Sequence, residues 1–104
     1  MRDQLGYATV AILGAVRQGH RFGLDIMRQT GLASGTVYPT LARAERSGLV
    51  RSRWEDREAA DRDARPRRRH YQLTAAGQAA LDRAARRLDA LTWPARREAR
   101  KARS

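Results

Sequence analysis

The stretch TGLASGTVYPTLARAERSGL, residues 30–49, decides the fold. Two of its glycines, Gly31 and Gly48, are each followed by a leucine and bracket one amphipathic helix. Glycine tolerates the left-handed conformation that closes a helix. Gly31 therefore suits the end of a preceding helix, with the side chains of Met27 and Leu32 expected to touch across the stop. Gly48 repeats the arrangement with Ala44 and Leu49. Ser34 carries the hydroxyl of an N-cap. Val37, Leu41 and Ala44 fall on one face of the bracketed helix, and Thr36, Thr40 and Arg43 on the face expected to meet solvent. Pro39 lies within it and removes the hydrogen bond to the Gly35 carbonyl. This implies either a late or kinked start, or a first turn tilted toward a ligand.

Upstream, residues 4–17 carry Leu5, Ala8, Ile12 and Val16 at helical spacing, widened by Leu13, and predict a first helix. Gln18-Gly19-His20 is a turn, and Phe22, Ile26 and Met27 mark a short second helix reaching Thr30. Downstream, Val50, Ser52 and Trp54 alternate with Arg51, Arg53 and Glu55, while Arg69, Tyr71 and Leu73 alternate with Arg68, His70 and Gln72. Two strands of a hairpin follow, with Trp54 expected in the core and Asp56 to Pro66 as a polar, mobile tip. Thr74 then caps a final helix. Its Leu81, Ala84, Leu88, Leu91 and Ala95 form a heptad-like seam, and Pro94 ends or bends it near Trp93. The expected fold is mainly α with a small β-hairpin: a winged helix-turn-helix over residues 1–73, then a dimerisation helix and basic tail over 74–104.

With 104 residues the chain makes one small domain, and much of its 41% hydrophobic content is alanine, which buries little area. A second copy would add to so small a core, so a homodimer is expected, with Leu5, Ile12, Leu81, Ala84, Leu88 and Leu91 as interface residues. There is no cysteine, hence no disulfide and no thiolate metal site. The N-terminus lacks a signal-peptide layout, and no apolar run approaches the roughly 20 residues of a membrane span. A cytoplasmic protein is expected. His20 and His70 are far apart, with no cysteine or carboxylate cluster at ligand spacing, so no metal is expected. No Ser-His-Asp or paired-carboxylate arrangement is present, and residues 31–35 lack the lysine of a phosphate-binding loop. No catalytic residue and no cofactor is assigned, and an enzyme is not expected.

The net charge is +11, and Lys101 is the one lysine. The excess is spread along the chain: six basic and three acidic residues over 1–50, eight and five over 51–73, eight and three over 74–104. Such a balance points to double-stranded DNA as partner once an exposed helix is available to offer. The third helix fits a major groove about 12 Å wide, and the hairpin straddles the neighbouring backbone. Ser34, Gly35 and Thr36 sit at a helix N-terminus, which favours phosphate. Thr40 and Arg43 continue that face, and Arg67, Arg68 and Arg69 lead up the hairpin. The alternative is a nonspecific architectural DNA-coating protein. A further one is a protein-interaction module on the same fold.

SGTVYPTLARAERSGLV at residues 34–50 resembles the signature of the PadR family of transcriptional regulators. FGLDIM at 22–27 resembles that family's second helix, and RPRRRHYQLTAAG at 65–77 its wing strand. The likeness spans about residues 5–85. Leu24 stands where the family often has tyrosine, and Ala44 where it often has leucine. The resemblance implies a DNA-binding repressor, usually a homodimer, that releases its operator in response to aromatic compounds, drugs or other stress. One helix after the wing implies the small subfamily, in which that helix makes the dimer. Tyr38 can contact DNA or pack under the wing, and the resemblance favours the DNA side; Pro39 belongs to the same signature. Trp93 can pack in the dimer interface beside Leu91, or serve as the aromatic wall of a site for a small aromatic effector.

Overall fold

The computed structural model describes residues 5–87. Three helices come first: α1 (Tyr7–Arg17), α2 (Gly23–Thr30) and α3 (Ser34–Arg46). Strand β1 (Val50–Trp54), the short helix α4 (Arg57–Arg62) and strand β2 (Arg69–Leu73) follow. Residues 75–87 are helical and are called α5. The strands pair antiparallel, Val50 opposite Leu73 and Trp54 opposite Arg69. A third, single-residue strand joins them: Phe22 bridges His70, and the Tyr71 amide donates to the Arg21 carbonyl at 2.8 Å. Three helices, a hairpin and a closing helix make a winged helix-turn-helix.

One core serves all of these elements except α4. Ile12, Leu13 and Val16 of α1 meet Ile26 of α2, Val37, Leu41 and Ala44 of α3, Val50 and Tyr71 of the hairpin, and Leu81 of α5. Each large aliphatic side chain buried there contributes about 1.5–3 kcal/mol. Ala80, Leu81 and Ala84 are buried in the single chain. The described part of α5 therefore packs into the same core as the helices and hairpin before it.

The glycine stops form as their sequence implies. At Gly48 (φ 77°) the Gly48 amide donates to the Glu45 carbonyl at 3.0 Å and the Leu49 amide to the Ala44 carbonyl at 2.8 Å. This pair of bonds satisfies the last carbonyls of α3. Gly31 (φ 74°) uses the simpler single bond, its amide donating to Met27 at 2.8 Å. Thr74 caps α5: its Oγ1 accepts from the Gly77 amide at 3.0 Å while donating to the Gly48 carbonyl at 2.6 Å. One hydroxyl thus starts α5 and ties it to the end of α3.

Several expectations are corrected. α1 starts at Tyr7, not residue 4, because Gly6 is extended and occupies the cap position. The N-cap of α3 is Ala33, and Ser34 is the first helical residue, one position too late for its hydroxyl to cap. α3 runs unbroken through Pro39, whose ring lies on the exposed side where solvent can reach the Gly35 carbonyl. The hairpin tip is not a plain loop. α4 forms there, sinks Ala60 into a buried position, and stops at Ala64 (φ 51°), where the Arg65 amide donates to the Ala60 carbonyl at 3.1 Å.

Candidate nucleic-acid interface

α3 is held by its buried face. Val37, Leu41 and Ala44 are sunk in the core, so Ser34, Gly35, Tyr38, Pro39 and Arg43 lie exposed along the other side, with Thr36 half-buried. Thr40 corrects the expected reading face: it is 2% exposed. Its hydroxyl accepts one long hydrogen bond, 3.4 Å, from Arg43 Nη2. Position 40 borders the stripe formed by Val37, Leu41 and Ala44, and the tight fit of α3 draws it in. Among the described residues the amides of Ser34 and Gly35 make no hydrogen bond; the first bonds of the helix run from Thr36 and Val37 to the Ala33 carbonyl, each 2.9 Å. The exposed N-terminus of α3 therefore presents two free N–H donors and the positive end of the helix dipole.

Tyr38 leaves α3 and lies across Gly23 at the start of α2. A Cβ on residue 23 would collide with the far end of that ring. The ring is still 47% exposed. It touches the base of α2 on one edge and solvent on the other, so it is neither a buried core residue nor a freely projecting one.

The wing arginines are organised by Glu55, a residue the sequence reading did not single out. Arg65 grips both of its carboxylate oxygens, Nη1 to Oε1 at 2.5 Å and Nη2 to Oε2 at 2.7 Å. The Glu55 carbonyl accepts from Arg67 Nε at 2.8 Å, and the Arg68 guanidinium lies 3.5 Å from Oε2. Hydrogen bonding from the Arg65 side chain, against some desolvation, lowers the Glu55 pKa to about 2. The same contact raises that of Arg65. Arg68 also stacks over Phe22, its guanidinium carbon 4.0 Å from the ring centroid. Arg69 turns the other way. Its Nε donates to Ser52 Oγ at 2.8 Å, Ser52 donates to Glu45 at 2.7 Å, and the guanidinium lies 5.3 Å from the Trp54 ring centroid. Trp54 is 53% exposed, not core. It shares a face with Val50 and Ser52, but the hairpin has outrun the helices by position 54.

Tyr38, Trp54 and the arginines line one cleft of about 770 Å³. It opens between one side of α2 (Phe22 and Leu24 at its start, Arg28 in its last turn), Tyr38 of α3, and the wing from Arg65 to Arg69. The structure thus brings together Tyr38, Arg67, Arg68 and Arg69 of the expected DNA-contacting set. Ser34, Gly35, Thr36, Pro39 and Arg43 lie elsewhere along α3. Behind the wing, burial is the main cause lowering the His70 pKa, helped by Arg53 and Arg21, and burial raises that of Tyr71. His20 and Asp25 pair at 3.1 Å. Among the described residues no group of three or more His, Cys, Asp or Glu could hold a metal, and no helix is long and apolar enough to cross a membrane.

The residues expected at a dimer interface divide into two groups. Ile12, Leu81 and Ala84 are buried in the chain's own core, leaving no surface for a partner, and Leu5 packs half-buried against that core. A spacing of three and four marks an apolar helix face whichever surface covers it, and here the covering surface is the chain itself. Leu88 and Leu91 lie outside the described residues, as does Trp93.

A model of the PadR-like family of transcriptional regulators matches residues 12–83. Among solved structures, a PadR family transcription regulator from Clostridium difficile is similar at a TM-score of 0.76 and 23% identity, over 88% of this chain and 97% of that one. A transcriptional regulator from Clostridium thermocellum reaches 0.69 at 20% identity, over 88% and 89%. A PadR-like transcription factor from Bacteroides fragilis reaches 0.62 at 22% identity, over 92% and 88%. At such identities the likeness is one of fold. No curated protein gives a significant match to the chain.

Proposed function

This chain belongs to the PadR-like family of transcriptional regulators, and from that premise we propose that it is a sequence-specific, homodimeric repressor reading an inverted repeat in double-stranded DNA. The observation that carries the proposal is the division of α3. One face is locked in the core, while the N-terminus, Tyr38, Pro39 and Arg43 stay exposed and Tyr38 shares a cleft with the arginine-rich wing. A helix fixed in this way enters a major groove with no loss of its own packing, and the wing lies along the adjacent backbone. The free amides of Ser34 and Gly35 suit a phosphate, and Arg43 a base edge or phosphate. Two copies related by a two-fold axis would place their α3 helices about 34 Å apart, one helical turn of DNA. Such a repressor works in the cytoplasm. Release from DNA by an effector is part of the proposal.

Arg43→Ala tests the reading face by electrophoretic or fluorescence titration against the DNA flanking the gene. A phosphate contact predicts a salt slope smaller by about 1; a guanine contact predicts a loss of about 1–3 kcal/mol and a relaxed base preference. Unchanged affinity and selectivity remove Arg43 from the interface. Binding that disappears under excess competitor DNA favours the nonspecific architectural alternative, which the +11 charge supports. Leu88 and Leu91 continue the spacing of α5, so Leu88→Glu is expected to split the dimer in sedimentation runs. A dimer that persists places the interface elsewhere.

A further inference from the structure

In the proposed function α3 and the wing meet DNA as two separate contacts, so the angle between them matters as much as their own residues. Two attachments set that angle. On one side the hairpin is tied to the entry of α2, through the Phe22–His70 bridge and the Tyr71 amide on the Arg21 carbonyl. On the other side it meets α3, and along β1 the core gives out early. Val50 is buried, Ser52 is half-buried, and Arg51, Arg53 and Trp54 are exposed.

Past Val50 three polar side chains take over. Glu45 of α3 accepts from Ser52 Oγ at 2.7 Å, Ser52 Oγ accepts from Arg69 Nε at 2.8 Å, and Arg69 Nη2 lies 3.8 Å from Glu45 Oε1. These contacts close a triangle with one corner on α3, one on β1 and one on β2. Among the described residues it contains the one side-chain hydrogen bond between α3 and the hairpin strands, from Ser52 to Glu45. The register explains the meeting. Ser52 stands opposite Tyr71 and Trp54 opposite Arg69, so Arg69 reaches Ser52 along a diagonal of one sheet face, its guanidinium carbon 5.3 Å from the Trp54 ring centroid. Arg69 is thereby turned away from the edge that Glu55 organises.

We propose that Glu45, Ser52 and Arg69 form a brace that fixes the angle between α3 and the wing, and that Arg69 is a positioning residue for operator recognition and not itself a phosphate contact. Arg67 and Arg68 lie farther along the wing, so a tilt at the brace is carried out to them. An operator must meet α3 and the wing at one spacing, and a rigid link between two contacts raises the effective concentration of the second once the first is made. Nonspecific binding follows charge and sets no such spacing. The brace therefore acts on the difference between operator and random DNA. This role rests on the sequence-specific reading proposed above; the triangle itself does not.

The test separates geometry from charge. Glu45→Ala and Glu45→Gln remove the same negative charge, but glutamine keeps an oxygen that can accept from Ser52. Ser52→Ala opens the brace from β1 with no change of charge. Affinity is titrated by fluorescence anisotropy, at several salt concentrations, against a duplex selected from a random pool by the unchanged chain and against an unselected duplex of the same length. Glu45→Ala and Ser52→Ala are each expected to weaken the selected duplex about fivefold or more and to leave the unselected one within about twofold. Glu45→Gln should stay within about twofold on both. Arg69→Gln should weaken the selected duplex with no fall in salt slope. Equal binding of the selected duplex by Glu45→Ala and Glu45→Gln, or losses equal on both duplexes, overturns the brace; a slope smaller by about 1 in Arg69→Gln makes Arg69 a phosphate contact and overturns its assignment. These side chains are exposed or half-buried, and a protected Tyr71 amide shows that the hairpin is intact in each variant. Without DNA, the Arg69 Nε–H resonance, assigned by its loss in Arg69→Lys, reports the triangle directly. It should exchange slowly with water in the unchanged chain and in Glu45→Gln, and fast in Ser52→Ala. Fast exchange in the unchanged chain refutes the triangle. Slow exchange in a chain that selects no duplex at low salt refutes the proposed function, and operator positioning with it, while the triangle stands.

Discussion

Gly77 is the position where one added methyl group should do the most damage. A Cβ there would be driven into the carbonyl oxygen of Leu49, with Leu73 Cδ2 at 3.0 Å on another side. The obstacle is backbone, and it is held: that carbonyl accepts from the Thr74 amide at 3.1 Å, and the neighbouring Gly48 carbonyl accepts from Thr74 Oγ1 at 2.6 Å. To make room, α5 must shift away from the end of α3. Overpacking of this kind costs about 1–3 kcal/mol. The shift also weakens the cap and cross-bond made by Thr74, worth about 1 kcal/mol each. Alanine's better helix propensity returns less than about 1 kcal/mol. The net expectation for Gly77→Ala is a loss of about 2–4 kcal/mol. In a domain of this size each kcal/mol moves Tm by roughly 4–8 °C. Thermal unfolding followed by far-ultraviolet circular dichroism should therefore show a fall of roughly 10–30 °C. Gly14→Ala is the matched reference: it sits within α1, and its Cβ would meet nothing within 4 Å. It should gain about 0.5–1 kcal/mol. A Gly77→Ala protein that melts no lower than the unchanged chain refutes the close approach of α5 to Leu49.

Ala64 holds a left-handed backbone at φ 51° at the stop of α4. That conformation costs a residue with a Cβ about 1–2 kcal/mol. Ala64→Gly should therefore raise the urea midpoint by an amount corresponding to about 0.5–1 kcal/mol, once glycine's own entropy is deducted. His70 has a folded pKa below its ordinary 6.5, chiefly from burial. Its contribution to stability is present above pH 6.5 and lost as pH falls below it, so His70→Gln should flatten the unfolding profile just below that point. Glu55, with a folded pKa of about 2 against 4.5, contributes above pH 4.5 and loses that contribution as pH falls toward 2. Glu55→Gln should remove this acid-side slope, measured by urea unfolding from pH 5 to pH 2.5.

The residues that encode α3 were legible because helix stops are local chemistry. Gly48, Leu49, Ala44 and Glu45 need only one another to make the two closing bonds, and Thr74 needs only Gly77 to cap α5. What was not legible depends on partners distant in the chain. The spacing of Ile12, Leu81 and Ala84 gives an apolar face but not the identity of what covers it. The alternation of β1 places Trp54 on the inner face but does not say where the core ends beneath it. Thr40 sits at the edge of a buried stripe, and only the depth to which α3 sinks decides its exposure. The bridge from Phe22 to His70 joins residues with no common pattern. Glu55 closed the strand alternation as one more outward polar position, and nothing local set it apart, since its contacts come from the far end of the wing.

That last residue changes how the charge of the chain should be read. Residues 51–73 hold eight arginines and five acidic residues, a pattern that looks like a solvated, self-screened loop. In the structure one carboxylate gathers Arg65 and Arg68, and its backbone carbonyl holds Arg67, so the wing meets solvent as an ordered cationic edge. Long arginine side chains free in solvent each lose entropy when they are fixed against a ligand, about 0.5–1.5 kcal/mol per side chain immobilised. Arginines already fixed have met that cost on folding. A negative charge beside the proposed DNA surface would weaken attraction at long range, yet its hold on the arginines would sharpen contact at short range. The two effects separate by ionic strength. At high salt, where the screening length shrinks to a few ångströms, the unfavourable field of Glu55 fades while the geometry it imposes remains. If the wing lies on DNA as proposed, an acidic residue at its centre is a device for precision rather than a fault in the charge pattern, and its advantage should grow as salt rises.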